Sequence, residues 1–332
     1  MPTRITPVFV DCDNTMGLPG QEIDDGLTLL YLLARSSVAV VGVSATHGNG
    51  TVAAASRQTR ALLSSLGERI PVYDGADPPA RGVPDPATDR PASSLSDPSV
   101  PARPTWRSRS EAAAALVRAS REYAGRLVVL GLGALTNVAG AAELDAGFYE
   151  RLAGVRIMGG YLGPLRFPRR EVSELNLSSD PGAAYSVLRA PSPVTVMSAQ
   201  LCLGARFGPW DLVAHNRGPR WLRAVVRDWY HAFANATGSR GFYLWDLLPA
   251  VSVTEPSRFP SRVCALDSSV DDLAVGRLVL ARAGPGDTGA SAAGLVDVPA
   301  RIVSPRRLVV ECAAGWARTA RRVASPRYTL EP

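Results

Sequence analysis

Val8-Phe9-Val10-Asp11-Cys12-Asp13 runs a short apolar strand into two carboxylates, and eleven residues beyond Asp13 the pair Asp24-Asp25 opens a helix. Behind that pair, Leu27, Leu30 and Tyr31 keep a helical spacing, which predicts a helix over Asp24–Ala34. A valine-rich strand over Val38–Ala45 follows, then a helix over Val52–Leu66 stopped by Gly67, then a short strand at Pro71–Tyr73. Strands alternating with helices predict a mostly parallel sheet, in which ligands bind at the carboxyl ends of the strands. Asp11 and Asp13 stand at such an end. Asp24 and Asp25 taken alone are explained by their place at a helix start, where free N–H groups and the dipole favour carboxylates. Four carboxylates drawn together are not so explained, because they repel one another unless something neutralises them. A hard cation does so, and calcium accepts several carboxylates together with backbone carbonyls. A metal-holding aspartate cluster is therefore expected.

Outward from this stretch the alternation continues. Helices are predicted at Ser110–Tyr123, Asn137–Ala142, Pro181–Leu188 and Pro219–Asn235, and strands at Leu127–Leu130, Val155–Met158 and Val194–Met197. From about Val263 the chain reads as strand-like and rich in Arg and Gly. The expected fold is α/β: one domain over residues 1–332, Rossmann-like, with a mostly parallel, mixed central sheet and helices on both faces. Residues 77–109, rich in Pro, Ser, Asp and Arg, break the pattern; a loop of that length is expected to act as a lid.

The net charge is +6, yet every one of the 36 basic residues is arginine, spread along the chain rather than gathered with aromatics, so no nucleic-acid partner is expected. The absence of lysine excludes Schiff-base chemistry and a Walker A phosphate loop. No apolar run reaches the length of a membrane span. Met1–Asp11 lacks the pattern of a secretory signal, and cytoplasmic residence is expected. Cys12, Cys202, Cys264 and Cys312 form no CxxC pair and read as reduced thiols.

Asp11-Cys12-Asp13 followed by Asp24-Asp25 resembles the N-terminal signature of the inosine–uridine nucleoside hydrolases, and further segments agree in order. Gly48-Asn49 follows the second strand, Leu132-Gly133-Ala134-Leu135-Thr136-Asn137 the fourth, and Met158-Gly159-Gly160 ends another. Glu174-Leu175-Asn176 with Asp180-Pro181, and Trp245-Asp246, complete the series. The resemblance spans residues 5 to 255. It implies a calcium-dependent N-ribohydrolase, a homodimer or homotetramer, acting on a small ribosyl substrate. Asp13, Asp25, Asp246 and the Leu132 carbonyl are then the metal ligands, with Asp13 also the general base toward a water. Asp24, Asn49, Met158, Glu174, Asn176 and Trp245 then contact the substrate, and Asp11 supports the loop.

Three departures from that pattern bear on substrate. Asn14–Ile23 is an insertion between the DxD and DD motifs, expected either to widen the site or to bulge outward. Trp245 stands where many members carry a histidine acid, which suits stacking on the leaving group or packing alone. Without that acid, a leaving group that departs unaided, such as a cationic ring, is favoured. Of the histidines, His47 lies nearest the site in sequence, while His215 and His231 fall in the aromatic helical region. Arg166, Arg169 and Arg170 precede Glu174 and offer guanidinium forks for a 5′-phosphate. Two rival readings remain. Val10-Asp11-Cys12-Asp13-Asn14-Thr15 also fits the DxDxT motif of haloacid-dehalogenase phosphatases, with Asp11 as nucleophile. A ribosyl-binding protein without turnover is the other.

Overall fold

The computed structural model describes residues 5–77, 107–215, 218–282 and 294–323. The strands are β1 Thr6–Cys12, β2 Val38–Ala45, β3 Val72–Asp74, β4 Leu127–Gly131, β5 Leu152–Met158, β6 Leu165–Arg166, β7 Glu171–Val172, β8 Val194–Met197, β9 Arg206–Phe207, β10 Phe242–Tyr243, β11 Ser261–Leu266, β12 Leu280–Arg282 and β13 Leu295–Pro299. The helices are α1 Asp24–Leu32, α2 Val52–Ser65, α3 Glu111–Glu122, α4 Thr136–Leu144, α5 Pro181–Leu188, α6 Ala199–Cys202, α7 Pro209–His215, α8 Arg220–Thr237, α9 Leu247–Thr254, α10 Val270–Ala274 and α11 Pro305–Ala320.

Nine strands form one sheet in the order β12-β11-β13-β8-β5-β4-β1-β2-β3. From β3 to β13 every pairing is parallel, and β11 runs antiparallel to both β13 and β12. The parallel strands are nearly all buried, as expected where helices cover both faces. On one face Leu27, Leu30, Val251 and Trp316 pack against Val8, Val10 and Leu130. On the other, Leu116, Val138 and Val187 pack against Phe9, Val129 and Val155.

This topology places the site. β1 pairs with β2 on one side and β4 on the other, so the chain's winding reverses beside β1. A crevice opens at such a reversal, at the carboxyl ends of the strands. The Asp11↔Gly131 and Cys12↔Ala45 registers bring the residues after β1, β2 and β4 to one edge.

One expectation changes. The C-terminal part carries β11, β12 and β13, but it also contains α10 and ends in the sixteen-residue helix α11. Leu308, Cys312, Trp316 and Thr319 keep a spacing of three to four, which the β-branched pair Val309-Val310 and the mid-helix Gly315 obscured. The proposed lid, 77–109, lies outside the described residues except at its ends. At one end Arg107 is buried and donates to both Asp180 oxygens at 2.8 and 2.6 Å.

Candidate active site

Asp24 and Asp25 form the first turn of α1, and Asp246 precedes the first residue of α9. The two helix starts meet, and the Asp246 backbone N–H donates to Asp24 Oδ2 at 3.1 Å. One ligand oxygen from each of Asp24, Asp25 and Asp246 falls within 4.8 Å of the others. All three are buried, and Asp24 Oδ1, Asp25 Oδ1 and Asp246 Oδ1 have no hydrogen-bond partner. Three inward-facing, unpartnered carboxylate oxygens suit a hard divalent cation with oxygen ligands.

Asp13 joins the group from the end of β1. Its Oδ2 accepts the Asn49 backbone N–H at 2.5 Å, and its Oδ1 lies 3.5 Å from the Asn49 amide nitrogen. Burial raises its pKa to about 6, partly offset by the Asn49 hydrogen bond. Burial likewise lifts Asp24, and lifts Asp25 and Asp246 well above the ordinary carboxylate range, reinforced by neighbouring carboxylates for the latter two. Without a cation, then, this cluster holds protons.

Gly48 makes the Asp13–Asn49 contact possible. Its φ is +154°, and a Cβ there would stand 2.1 Å from Asp13 Oδ2. Gly48→Ala is expected to push the turn off Asp13 and lower kcat/KM by about a hundredfold, the cost of misplacing a reacting group by an ångström. Steady-state kinetics of a variant with a cooperative melt checks this; unchanged kcat/KM would remove the turn from the account.

The other predicted residues surround one pocket, lined by Asn49, Met158, Glu174, Asn176, Trp245 and Asp246 among others. The Glu174 carboxylate accepts backbone N–H groups of Gly160, Leu177 and Ser178. The Asn176 amide donates to the carbonyls of Leu132 and Met158 at 2.9 and 3.1 Å, tying the ends of β4 and β5 together. Trp245 packs against Tyr243 with ring centroids 5.2 Å apart.

Other residues fall elsewhere. β6 and β7 form a hairpin in which Leu165 pairs with Val172 and Arg166 with Glu171. Alternation turns Leu165 and Val172 into the pocket, and Arg166 outward to an exposed ion pair with Glu171. Arg169 donates to the Asn235 carbonyl at the end of α8, and Arg170 to the Glu171 carbonyl. None of the three arginines lines the pocket, which corrects the 5′-phosphate expectation. His47 has both ring nitrogens buried without a hydrogen-bond partner and is not among the lining residues. His215 packs on Phe207, and His231 is exposed against Tyr230.

Asp11 is fully buried, and its Oδ1 accepts Ser44 Oγ at 2.6 Å and the Asn137 amide at 2.8 Å. Burial raises its pKa to about 7. Enclosed in this way it ties β1 to β2 and α4, and it cannot reach a phosphate ester as a nucleophile would.

Of the lining residues that escaped the sequence reading, the one that carries a charge is Glu22, at the end of the insertion. Its only signal was a carboxylate two positions before the Asp24-Asp25 pair.

The profile of the inosine-uridine preferring nucleoside hydrolases matches residues 8–303, a span containing every one of these carboxylates. The chain belongs to that family. Uridine nucleosidase 1 of Arabidopsis thaliana is 25% identical over 268 residues, covering 78% of this chain and 79% of its own. The pyrimidine-specific ribonucleoside hydrolase RihA of Klebsiella pneumoniae is 29% identical over 209 residues, covering 62% of this chain and 64% of its own. Among solved structures, the plant nucleoside hydrolase PpNRh1 superposes with a TM-score of 0.72 at 21% identity, covering 95% of this chain and 98% of its own. The purine-preferring ribonucleoside hydrolase of Gardnerella vaginalis gives 0.73 at 19% identity, over 95% and 99%. As a nucleoside hydrolase the protein cleaves N-glycosidic bonds, and neither the phosphatase nor the turnover-free reading is supported. Among the described residues no helix is long and apolar enough to cross a membrane.

Proposed function

We propose that this nucleoside hydrolase is calcium-dependent and acts on pyrimidine ribonucleosides, uridine foremost. The observation that carries the cation is the set of three buried, unpartnered aspartate oxygens within 4.8 Å. Asp24, Asp25 and Asp246 would hold it, with Asp13 at the edge and the Leu132 carbonyl beside Asn176. When bound, calcium supplies Lewis-acid polarisation of a water and an anchor for the ribose diol.

The chain's own residues do the rest. Asp13, held by Asn49, accepts the proton of the attacking water as that water adds to the anomeric carbon and the bond to the base breaks. Asn49, Glu174 and Asn176 orient the sugar. The buried carboxylates favour the positive charge that develops on the ribosyl ring.

The base is argued from Trp245 and from the lack of a histidine among the lining residues. A uracil departing through N1 spreads its negative charge onto ring carbonyls, which lessens its need for a protein acid. The names of the curated relatives support the same choice. Uridine is expected to be turned over with a higher kcat/KM than inosine. Trp245→Ala is expected to raise KM for uridine about three- to tenfold, the worth of one aromatic contact. A preference for inosine, unaffected by Trp245→Ala, would sink the pyrimidine assignment. The same proposal includes a homodimer or homotetramer and cytoplasmic residence; light scattering tests the former and cell fractionation the latter.

A further inference from the structure

The insertion Asn14–Ile23 is buried at its start, over Asn14–Met16, and exposed at its tip, over Pro19–Gln21. Asn14 Oδ1 accepts the Met16 N–H at 3.0 Å, and its amide donates to Thr59 Oγ1 at 3.2 Å. Met16 is fully buried against Gly26, where a Cβ would stand 2.2 Å from the Met16 sulfur. Gly17 and Gly20 turn the tip with φ of +106° and +67°. The Gly20 N–H donates to Asp228 of α8 at 2.7 Å. Thr15 Oγ1 donates to the Glu22 carbonyl at 2.8 Å. The loop is thus fastened at its start, its tip and its end, and the fastening at its end sets down Glu22.

The Glu22 side chain lines the same pocket as Asn49, Glu174, Asn176 and Trp245. Asn49 lines the pocket beside it, and Asp24 and Asp13 are charged neighbours that disfavour its ionised form. A fifth carboxylate in this acidic place is unfavourable unless donors meet it. Among the described residues no arginine lines the pocket. Glu22 also stands outside the three-carboxylate group whose oxygens converge within 4.8 Å. A carboxylate has about four acceptor positions to offer. Sugar hydroxyls are the donors that would enter this space.

We propose that Glu22 is a sugar-recognition residue supplied by the insertion: it accepts a hydrogen bond from one ribose hydroxyl. The proposal rests on the ribohydrolase reading and deepens it. The test compares wild type, Glu22→Ala and Glu22→Gln in saturating calcium. It reads KM and kcat for uridine, the inhibition constants of 2′-, 3′- and 5′-deoxyuridine against uridine hydrolysis, and calcium affinity by calorimetry. A hydrogen bond to a charged acceptor corresponds to roughly ten- to a hundredfold. Glu22→Ala should raise KM by about that factor, with a smaller change in kcat. One deoxy analogue should lose the penalty it shows against the wild type, while the other two keep theirs. Glu22→Gln, which retains an acceptor oxygen, should recover part of the loss, and calcium affinity should hold within about twofold. Three unchanged penalties would overturn the proposal, and so would a tenfold loss of calcium affinity, which would make Glu22 a cation ligand. Absence of uridine turnover in the wild type would remove the underlying reading as well, and that failure is recognisable from the wild-type arm alone.

Discussion

With divalent cations chelated, the protein is expected to be less stable at pH 8 than at pH 5, and added calcium is expected to stabilise it more at pH 8. The cause is the set of raised carboxylate pKa values. Asp11 moves from 3.8 to about 7 and Asp13 to about 6, and Asp24, Asp25, Asp246 and Glu22 are raised as well, burial being the first cause throughout. Between about pH 4 and 7 the folded chain binds more protons at these groups than the unfolded chain, so stability falls as pH rises. That contribution is complete below the unfolded value and is lost as pH climbs through the folded values. For Asp11 alone the shift corresponds to on the order of 4 kcal/mol. His215 acts oppositely, because burial lowers its pKa, but it is one group against six. Calcium relieves the repulsion among the converging aspartates but not the burial of Asp11. Urea midpoints in chelator and in calcium, at both pH values, check the claim, and Asp11→Asn should flatten the slope that calcium leaves. A chelated protein that gains stability from pH 5 to pH 8 and ignores calcium would contradict the cluster as described.

Asp13→Ala is expected to lower kcat by about 10²- to 10⁴-fold, the usual contribution of a positioned general base, with KM changed far less. Asp13 can act this way because Asn49 holds it at 2.5 Å and Gly48 lets the turn approach. The base must be ionised, so the wild-type rate falls as pH drops through its pKa. That pKa is about 6 without a cation, and a bound positive charge lowers it further. The acid limb of kcat/KM in calcium should therefore lie below pH 6, and residual turnover by Asp13→Ala should lack it. A variant that retains the limb would assign the proton to another group.

Much of this site was legible before any coordinates because its chemistry coincides with local signals. Asp13 ends a strand, while Asp24 and Asp25 start a helix; these positions follow from periodicity and capping alone. Asn49, Glu174, Asn176 and Trp245 were reached through family resemblance, since no local rule links residues so far apart. Glu22 stayed hidden because an insertion has no pattern to match, and the loop that carries it is fastened both by Thr15 within the insertion and by Asp228, 208 positions beyond Gly20. Arg166 misled because its orientation is set by hairpin alternation, which two-residue strands do not announce, while Arg169 and Arg170 lie between the strands and turn to backbone carbonyls. The α11 helix was obscured by Val309-Val310, which favour a strand, and by Gly315 in its middle.

The most direct measurement is the release of free base from uridine by the purified protein in calcium, followed together with the reducing sugar. The account predicts uracil and ribose in equal amounts, with release stopped by a calcium chelator, restored by calcium and lost in Asp13→Ala. Saturating calcium with no base released from uridine, cytidine or inosine, or release indifferent to both chelator and Asp13→Ala, would contradict it.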